Sequence, residues 1–355
     1  MLLWGLMACS QAQPDEVWFA SPVLTPVPGV TDFLLQAVSP VSSEVVWVSG
    51  HGGTWARTLD GGETWTAGVV PGQDSLQFRD LKATHTDTAV LLAAGTGERS
   101  ALFRTTDGGA TWTEVFRNRN PQAFFSCFDL WEPAATGGSR RGLAFSDQVE
   151  GRFPVMVTTD GGVTWAPLPE EGIPPAHDGE GGFASSGTCL VTVGARHGWM
   201  GTGAADSARV LRTNDAGGTW HTATSPIAGG DFAGITSLAF RDTLTGWAFG
   251  GDLSDLASRV PNVAATGDGG ASWTLLTPSH MPGPIYGSAV VPGTDPTVLV
   301  TVGPGGADLS LDGGHSWAAL DSVAYWAVGF ASPSAGWLVG PQGRLTRVDL
   351  RLERR

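Results

Sequence analysis

Two carboxylates stand out as groups able to do chemistry. Asp147 lies in AFSDQVEGRFPV, and Glu180 lies in the long loop-like stretch LPEEGIPPAHDGEGGFASSG. Glycine and serine surround both, and such small neighbours allow close backbone approach. A carboxylate pair held roughly 5–10 Å apart can do the acid–base work of glycoside hydrolysis. Asp147 and Glu180 are therefore the catalytic candidates. Arg79 in LQFRDL, Arg152 just after Asp147, Arg209 in GTGAADSARVLR and Asp252 in GGDLSDLASR add charge to the set. Tyr286 and Tyr325, the only tyrosines, add phenols. Each alone reads as an ordinary loop residue. Gathered at one mouth, Arg79, Asp147, Arg152, Glu180, Arg209, Asp252, Tyr286 and Tyr325 form the expected ligand-binding set.

Other chemistries lack their residues. The sequence has no CxxC and no Cys/His cluster, so no metal site is expected. GGDLSD has oxygen ligands suited to Ca²⁺, but a solvated loop is the plainer reading. No GxGxxG follows a strand and opens a helix, there is no haem motif, and the glycines of GPGGAD serve a turn. No cofactor is expected, which leaves redox chemistry without a carrier.

The elements that must position these residues are announced by a repeat. TLDGGETW ends at Trp65, TTDGGATW at Trp112, TTDGGVTW at Trp165, TNDAGGTW at Trp220, TGDGGASW at Trp273 and SLDGGHSW at Trp317. Six copies of one rule make an internal repeat. Glycine permits the positive φ of a tight turn. The aspartate can accept hydrogen bonds from its own turn and from the flanking hydroxyls. The tryptophan can wedge between sheets, with its indole N–H directed to a carbonyl. The string reads as a hairpin clip. Its aspartates, Asp60, Asp107, Asp160, Asp215, Asp268 and Asp312, are expected to be structural.

The clips recur every 44 to 55 residues, the length of one four-stranded blade. Apolar strands ending in glycine precede most of them, as in VVWVSG, VLLAAG, GWMGTG, GWAFGG and VLVTVG. GWLVG, ending at Gly340, is a further such strand with no clip after it, followed by GRLTRVDL. The expected fold is all-β: a seven-bladed propeller of four-stranded blades, six of them clipped. Six blades would leave GWLVG without a role. EVWFASPV, Glu16 to Val23, is an orphan strand expected to close the ring by pairing near Arg344 to Leu350. Closure removes sheet edges that invite aggregation.

The clip resembles the Asp-box, or BNR repeat, of sialidases and related propellers. In that family the box is structural and lies away from the ligand. LQFRDL, AFSDQVEGRF, GEGGFASSGTC, GWMGTG, GITSLAFRDTLTGWAFGGD and GWLVGPQGR resemble exported bacterial propellers of the photosystem II stability and assembly factor-like branch. Members of that branch often carry the names oxidoreductase or glycosyl hydrolase. The resemblance implies a seven-bladed propeller with a binding or assembly-helper role. The sialidase variant implies an arginine cluster, a Tyr–Glu pair and an acid; however, its Arg-x-Pro element normally precedes the first box, and here no arginine precedes Arg57. In propellers the ligand sits on the face opposite the boxes.

A net charge of −14 with a single lysine, Lys82, disfavours nucleic acid and anionic membranes. The start, MLLWGLMACSQAQ, resembles a lipoprotein signal with a lipobox Leu6-Met7-Ala8-Cys9, although it lacks a basic n-region and its apolar stretch is short. Residues 1–8 then read as an export signal, Cys9 as the lipidation site, 9–30 as tether and closing strand, and 31–350 as the propeller. The expected product is an exported, periplasmic or cell-envelope lipoprotein. It touches the membrane only through that anchor and acts as a monomer on an envelope protein or glycan. Cys127 and Cys189 fall on innermost strands of adjacent blades, and they read equally well as a disulfide or as two buried thiols.

Overall fold

The computed structural model describes residues 18–135 and 137–354, so the expected signal and Cys9 lie outside the described residues. Seven four-stranded antiparallel sheets form the blades of a propeller, with one two-stranded ribbon beside them. Among the described residues there is no α-helix, only two short 3₁₀ turns. The innermost strands of blades one to seven are Leu35–Pro40, Phe78–Ala83, Phe125–Leu130, Leu190–Val193, Ala233–Phe240, Gly287–Val290 and Ala327–Ser332. They neighbour one another around the ring, with blade seven against blade one.

Blade seven is completed from the other end of the chain. Val23–Val27 pairs with Leu345–Asp349, from Val23 opposite Asp349 to Val27 opposite Leu345. The partner is the expected one, but the closing strand lies further along than Glu16–Val23. Pro26 disguises it. An outermost strand needs no N–H on its solvent side, so proline is tolerated there. Leu24 and Val27 pack inward on the blade-seven core. Trp18–Ala20 instead pairs with Leu352–Arg354, and the Trp18 indole donates to the Pro296 carbonyl at 2.9 Å.

Each clip joins the third and fourth strands of its blade. In blade two, Thr105 Oγ1 donates to Asp107 Oδ1 at 2.8 Å and accepts from Gly109 N at 3.0 Å. Thr111 donates its N–H to Oδ1 at 2.9 Å and its hydroxyl to Oδ2 at 2.6 Å. The carboxylate thus joins the residues two before and four after it. The same bonds recur at Asp60, Asp160, Asp215, Asp268 and Asp312. The tryptophans behave less uniformly than expected. The indoles of Trp220 and Trp317 donate to the Gly217 and Thr277 carbonyls. Those of Trp65, Trp112, Trp165 and Trp273 find no acceptor among the described residues, so their contribution is apolar packing.

The clip glycines have a second duty that joins blade to blade. Gly109 has φ +91°, and a Cβ there would overlap the ring of Trp55 from blade one. Trp337 of blade seven sits in the same way on Gly62, and Trp199 of blade four lies against Gly270. Trp199 and Trp247 also donate to the Gly269 and Gly313 carbonyls of the following blade, both at 2.8 Å. Gly161 has φ +76° with open space around its Cβ position. Gly161→Ala should therefore cost only left-handed backbone strain, roughly 1–2 kcal/mol. Gly109→Ala adds overpacking of about 1–3 kcal/mol. Urea denaturation of the two variants measures the difference, and equal losses would show that the Trp55 contact contributes nothing.

Candidate functional site

The face opposite the clips carries the loops between second and third strands and those linking successive blades. The link between blades three and four, residues 168–189, is the longest, and it turns into the central channel. Glu180 anchors its entry. Its side chain is fully buried. Oε1 accepts from Thr202 Oγ1 at 2.6 Å and from Arg209 Nε at 2.9 Å. Oε2 accepts from His177 N at 2.8 Å and from Arg209 Nη2. Arg209, on the third strand of blade four, also donates to the Pro175 carbonyl at 3.1 Å.

Beyond Glu180 the chain crosses the channel. Gly181 and Gly203 exchange backbone hydrogen bonds of 3.1 and 2.9 Å. Asp147 Oδ1 accepts from Gly182 N at 3.0 Å and from Ser126 Oγ at 2.8 Å. From blade one, the Gln36 amide donates to the Ala184 and Ser185 carbonyls at 2.9 and 3.1 Å. Ser186 Oγ donates to the Tyr286 carbonyl of blade six at 2.7 Å. A hydroxyl chain runs from Thr188 through Ser237 to Ser288, at 2.7 and 2.6 Å. Gly187, with φ +78°, lies against Asp80 of blade two. The segment ends at Cys189, joined by a disulfide to Cys127 with Cα atoms 5.9 Å apart. Residues 181–189 therefore form a plug held by five of the other blades. The small residues around Asp147 and Glu180 do allow close backbone approach, but the backbone that approaches is the protein's own.

Arg79 is half-buried on the innermost strand of blade two, where its Nε donates to Gln77 Oε1 at 3.0 Å and burial lowers its pKa. Arg152 is exposed in the Val149–Arg152 turn. Asp252 caps its own turn, accepting from the Ser254 hydroxyl at 2.6 Å and N–H at 2.8 Å, which lowers its pKa. Tyr286 is buried against Trp326 with centroids 4.9 Å apart, and burial raises its pKa. Tyr325 is buried, its hydroxyl bonded to Asp321 at 2.8 Å and to Thr346 at 3.1 Å, and burial pushes its pKa up to about 12. The fold thus brings Asp147, Glu180 and Arg209 together at the plug entry. Tyr325 is instead packed in the core between blades six and seven, its hydroxyl at Asp321 and Thr346.

Sequence reading missed the residues beneath the plug. His51 Nε2 lies 2.9 Å from Gln36 Oε1; burial and then nearby Arg79 lower its pKa. A cavity of about 230 Å³ is lined by Ser39, Asp80, Lys82, Asp129 and Thr188 among others. Lys82 pairs with Asp129 at 2.6 Å. Burial disfavours the Lys82 ammonium, but Asp129 outweighs this and its pKa is raised. Asp80 accepts from Leu81 N and Phe128 N at 2.7 and 2.8 Å, yet burial pushes its pKa well above the carboxylate range. The available signal was FRDLKA, in which charges interrupt a strand that is otherwise buried. Among the described residues, no group of three or more His, Cys, Asp or Glu is placed to hold a metal ion.

These carboxylates set a pH profile of stability. Burial pushes Asp147 up to about 6, against the pull of Ser126 and Gly182. A raised carboxyl contributes stability that is full below the unfolded pKa of about 3.9 and is lost as pH rises through about 6. The clips act oppositely. Thr64 and Thr111 hold Asp60 and Asp107 down to about 2. At Asp160 and Asp215 burial opposes the clip bonds and is outweighed, again giving about 2. Their contribution is present above about 3.9 and lost as pH falls through about 2. Melting temperature should rise from pH 7 to about 5 and fall below about 4. Asp147→Asn should reduce the rise, leaving the share that buried Asp80 contributes; a monotonic fall from pH 7 in the parent protein contradicts the assignment.

No family model matches the chain. In sequence it is 27% identical over 190 residues to xyloglucanase Xgh74A of Acetivibrio thermocellus, covering 47% of this chain and 22% of that protein. In structure it is similar to YCF48 bound to D1 peptide, with a TM-score of 0.58 and 18% identity over 92% of this chain and 96% of the other. YCF48 from Cyanidioschyzon merolae gives 0.59 and 18%, covering 91% and 98%. The GH74 xyloglucanase from Xanthomonas campestris gives 0.59 and 16%, covering 92% of this chain and 53% of that one. The chain spans a fifth of its sequence relative and about half of the solved xyloglucanase. At these identities the structural likenesses show a shared fold.

Proposed function

We propose that this chain is an exported, non-catalytic propeller that binds a protein partner on the face opposite the clips. The observation that carries the reading is the use made of Asp147 and Glu180. Both oxygens of Glu180 are engaged by Arg209 and its neighbours, and Asp147 holds the plug backbone. A general acid–base pair needs carboxylates that meet a substrate. The similarity to YCF48, seen bound to a D1 peptide, supports a protein as partner. The Cys127–Cys189 disulfide supports export, since such bonds persist in oxidising compartments. Lipidation at Cys9 and Asp-box membership of the clips belong to the same reading.

A photo-cross-linker at Phe232, on the non-clip face, and another at Glu63, on the clip face, test it in the native host. Adducts are expected from the first position; adducts confined to the second would overturn the reading. A glycosidase is the second reading, favoured by the stretch shared with Xgh74A. Hydrolysis of xyloglucan oligosaccharides, lost in Asp147→Asn, would put that reading first.

A further inference from the structure

Beside the plug, on the non-clip face of blade four, lies an open cavity of about 560 Å³ walled by His177, Asp178, Asp206, Ser207 and Asp231. Among the described residues, no lysine or arginine lines it. The carboxylates of Asp178, Asp206 and Asp231 accept no hydrogen bond and join no ion pair within the described residues. Phe232 follows Asp231 on the rim and is 63% exposed, more than any other large apolar side chain described. The Leu253 N–H donates to the Phe232 carbonyl at 2.8 Å, so the blade-five loop that presents exposed Leu256 and Val260 starts beside it. Apolar side chains left in water beside a polar rim mark an interaction surface. The neighbouring charges define what it takes.

We propose that this corner docks a protein segment carrying arginine or lysine next to an apolar residue. The inference rests on the protein-binding reading above and names the chemistry of the partner. A long basic side chain matches the surface at both ends. Its aliphatic stem covers Phe232 while its charged head meets the Asp206 and Asp231 carboxylates. Arginine can engage a carboxylate through two parallel hydrogen bonds. The apolar neighbour covers Leu256. Acidic segments, nucleic acid and anionic lipid headgroups are repelled by the same three carboxylates, and the overall charge of −14 extends that repulsion.

The test uses the full chain and three labelled peptides read by fluorescence anisotropy. One carries two arginines flanked by leucine and phenylalanine. The second replaces the arginines with glutamate, and the third replaces the apolar residues with glycine. The first is expected to bind, the second not at all, and the third at least ten-fold more weakly. Asp206→Asn with Asp231→Asn, and separately Phe232→Ser, should each weaken the first peptide about ten-fold without changing the melting temperature. Glu44→Gln with Glu63→Gln, which removes two charges on the clip face, should leave it unchanged. Equal weakening by the clip-face pair would reduce the effect to general attraction and overturn the proposal. So would binding of the glutamate peptide, or indifference to Phe232→Ser. If native cross-links fall on the non-clip face but away from Phe232 and Asp206, this site fails while the scaffold reading stands. Cross-links confined to the clip face sink both.

Discussion

Glu180→Ala is expected to destabilise the propeller by about 3–5 kcal/mol, the usual cost of breaking a buried ion pair from one side. The carboxylate is fully buried, and the Arg209 side chain it meets is only 10% exposed. Removing it strands a guanidinium out of water, and it orphans the Thr202 hydroxyl and the His177 N–H. Replacing both partners behaves differently. Glu180→Leu with Arg209→Met removes the desolvated charges together and should recover most of the loss. Urea denaturation of the single and double variants makes the comparison. A single-variant cost under about 1 kcal/mol, or a double variant no better than the single, contradicts a structural pair. The experiment also separates the two functions considered for this face. A catalytic acid at this position would lose turnover with little loss of stability, because active-site carboxylates are not selected for holding the fold.

How much of this was readable beforehand depends on the range of the interactions. The clips were readable because Asp107 satisfies its partners within a few residues of itself, so type and spacing suffice. Blade number followed, because GWLVG repeats the strand signal even where no clip follows. The closing strand was displaced because Pro26 reads as a break, and only its place at the sheet edge makes it acceptable. The plug was hidden for the opposite reason. Gln36, Ser237 and Ser288 are unremarkable polar residues on strands far apart in sequence, and their convergence on residues 184–188 is a property of the closed ring. Glu180 and Arg209 were both singled out, yet sequence carries no sign that their charges point at each other. Cys127 and Cys189 were left open between two readings for the same reason, and the structure joins them. The cation beneath the plug was visible as the lone lysine, but its partner Asp129 sits on the next blade.

Removing the disulfide is the second large effect. Cys127 and Cys189 are 62 residues apart and both fully buried. In the chain-entropy account, a loop of that length is worth about 4 kcal/mol through restriction of the unfolded chain. Cys127→Ala with Cys189→Ala should therefore be less stable by about that amount. The denaturant slope should also increase, because an untethered unfolded chain exposes more surface. A variant with an unchanged urea midpoint would show that the bond contributes nothing. Burial makes a further demand: in the native protein lacking residues 1–9, no thiol should react with a chromogenic disulfide reagent even after reductant is added and removed under native conditions. The two large effects also probe one another. Glu180 holds the plug at its entry and Cys189 holds it at its exit, with the Gln36 and Ser186 contacts between. If those central contacts keep the segment seated alone, the losses from Glu180→Ala and from the double cysteine variant add, as they do for independent sites. If they need both ends fixed, the triple variant falls short of additivity, because whichever change comes first already releases the segment. Hydrogen exchange at residues 181–188 distinguishes the cases directly: protection that survives both changes together marks a plug seated by its central contacts, whereas protection lost with either change marks a strap held only by its ends.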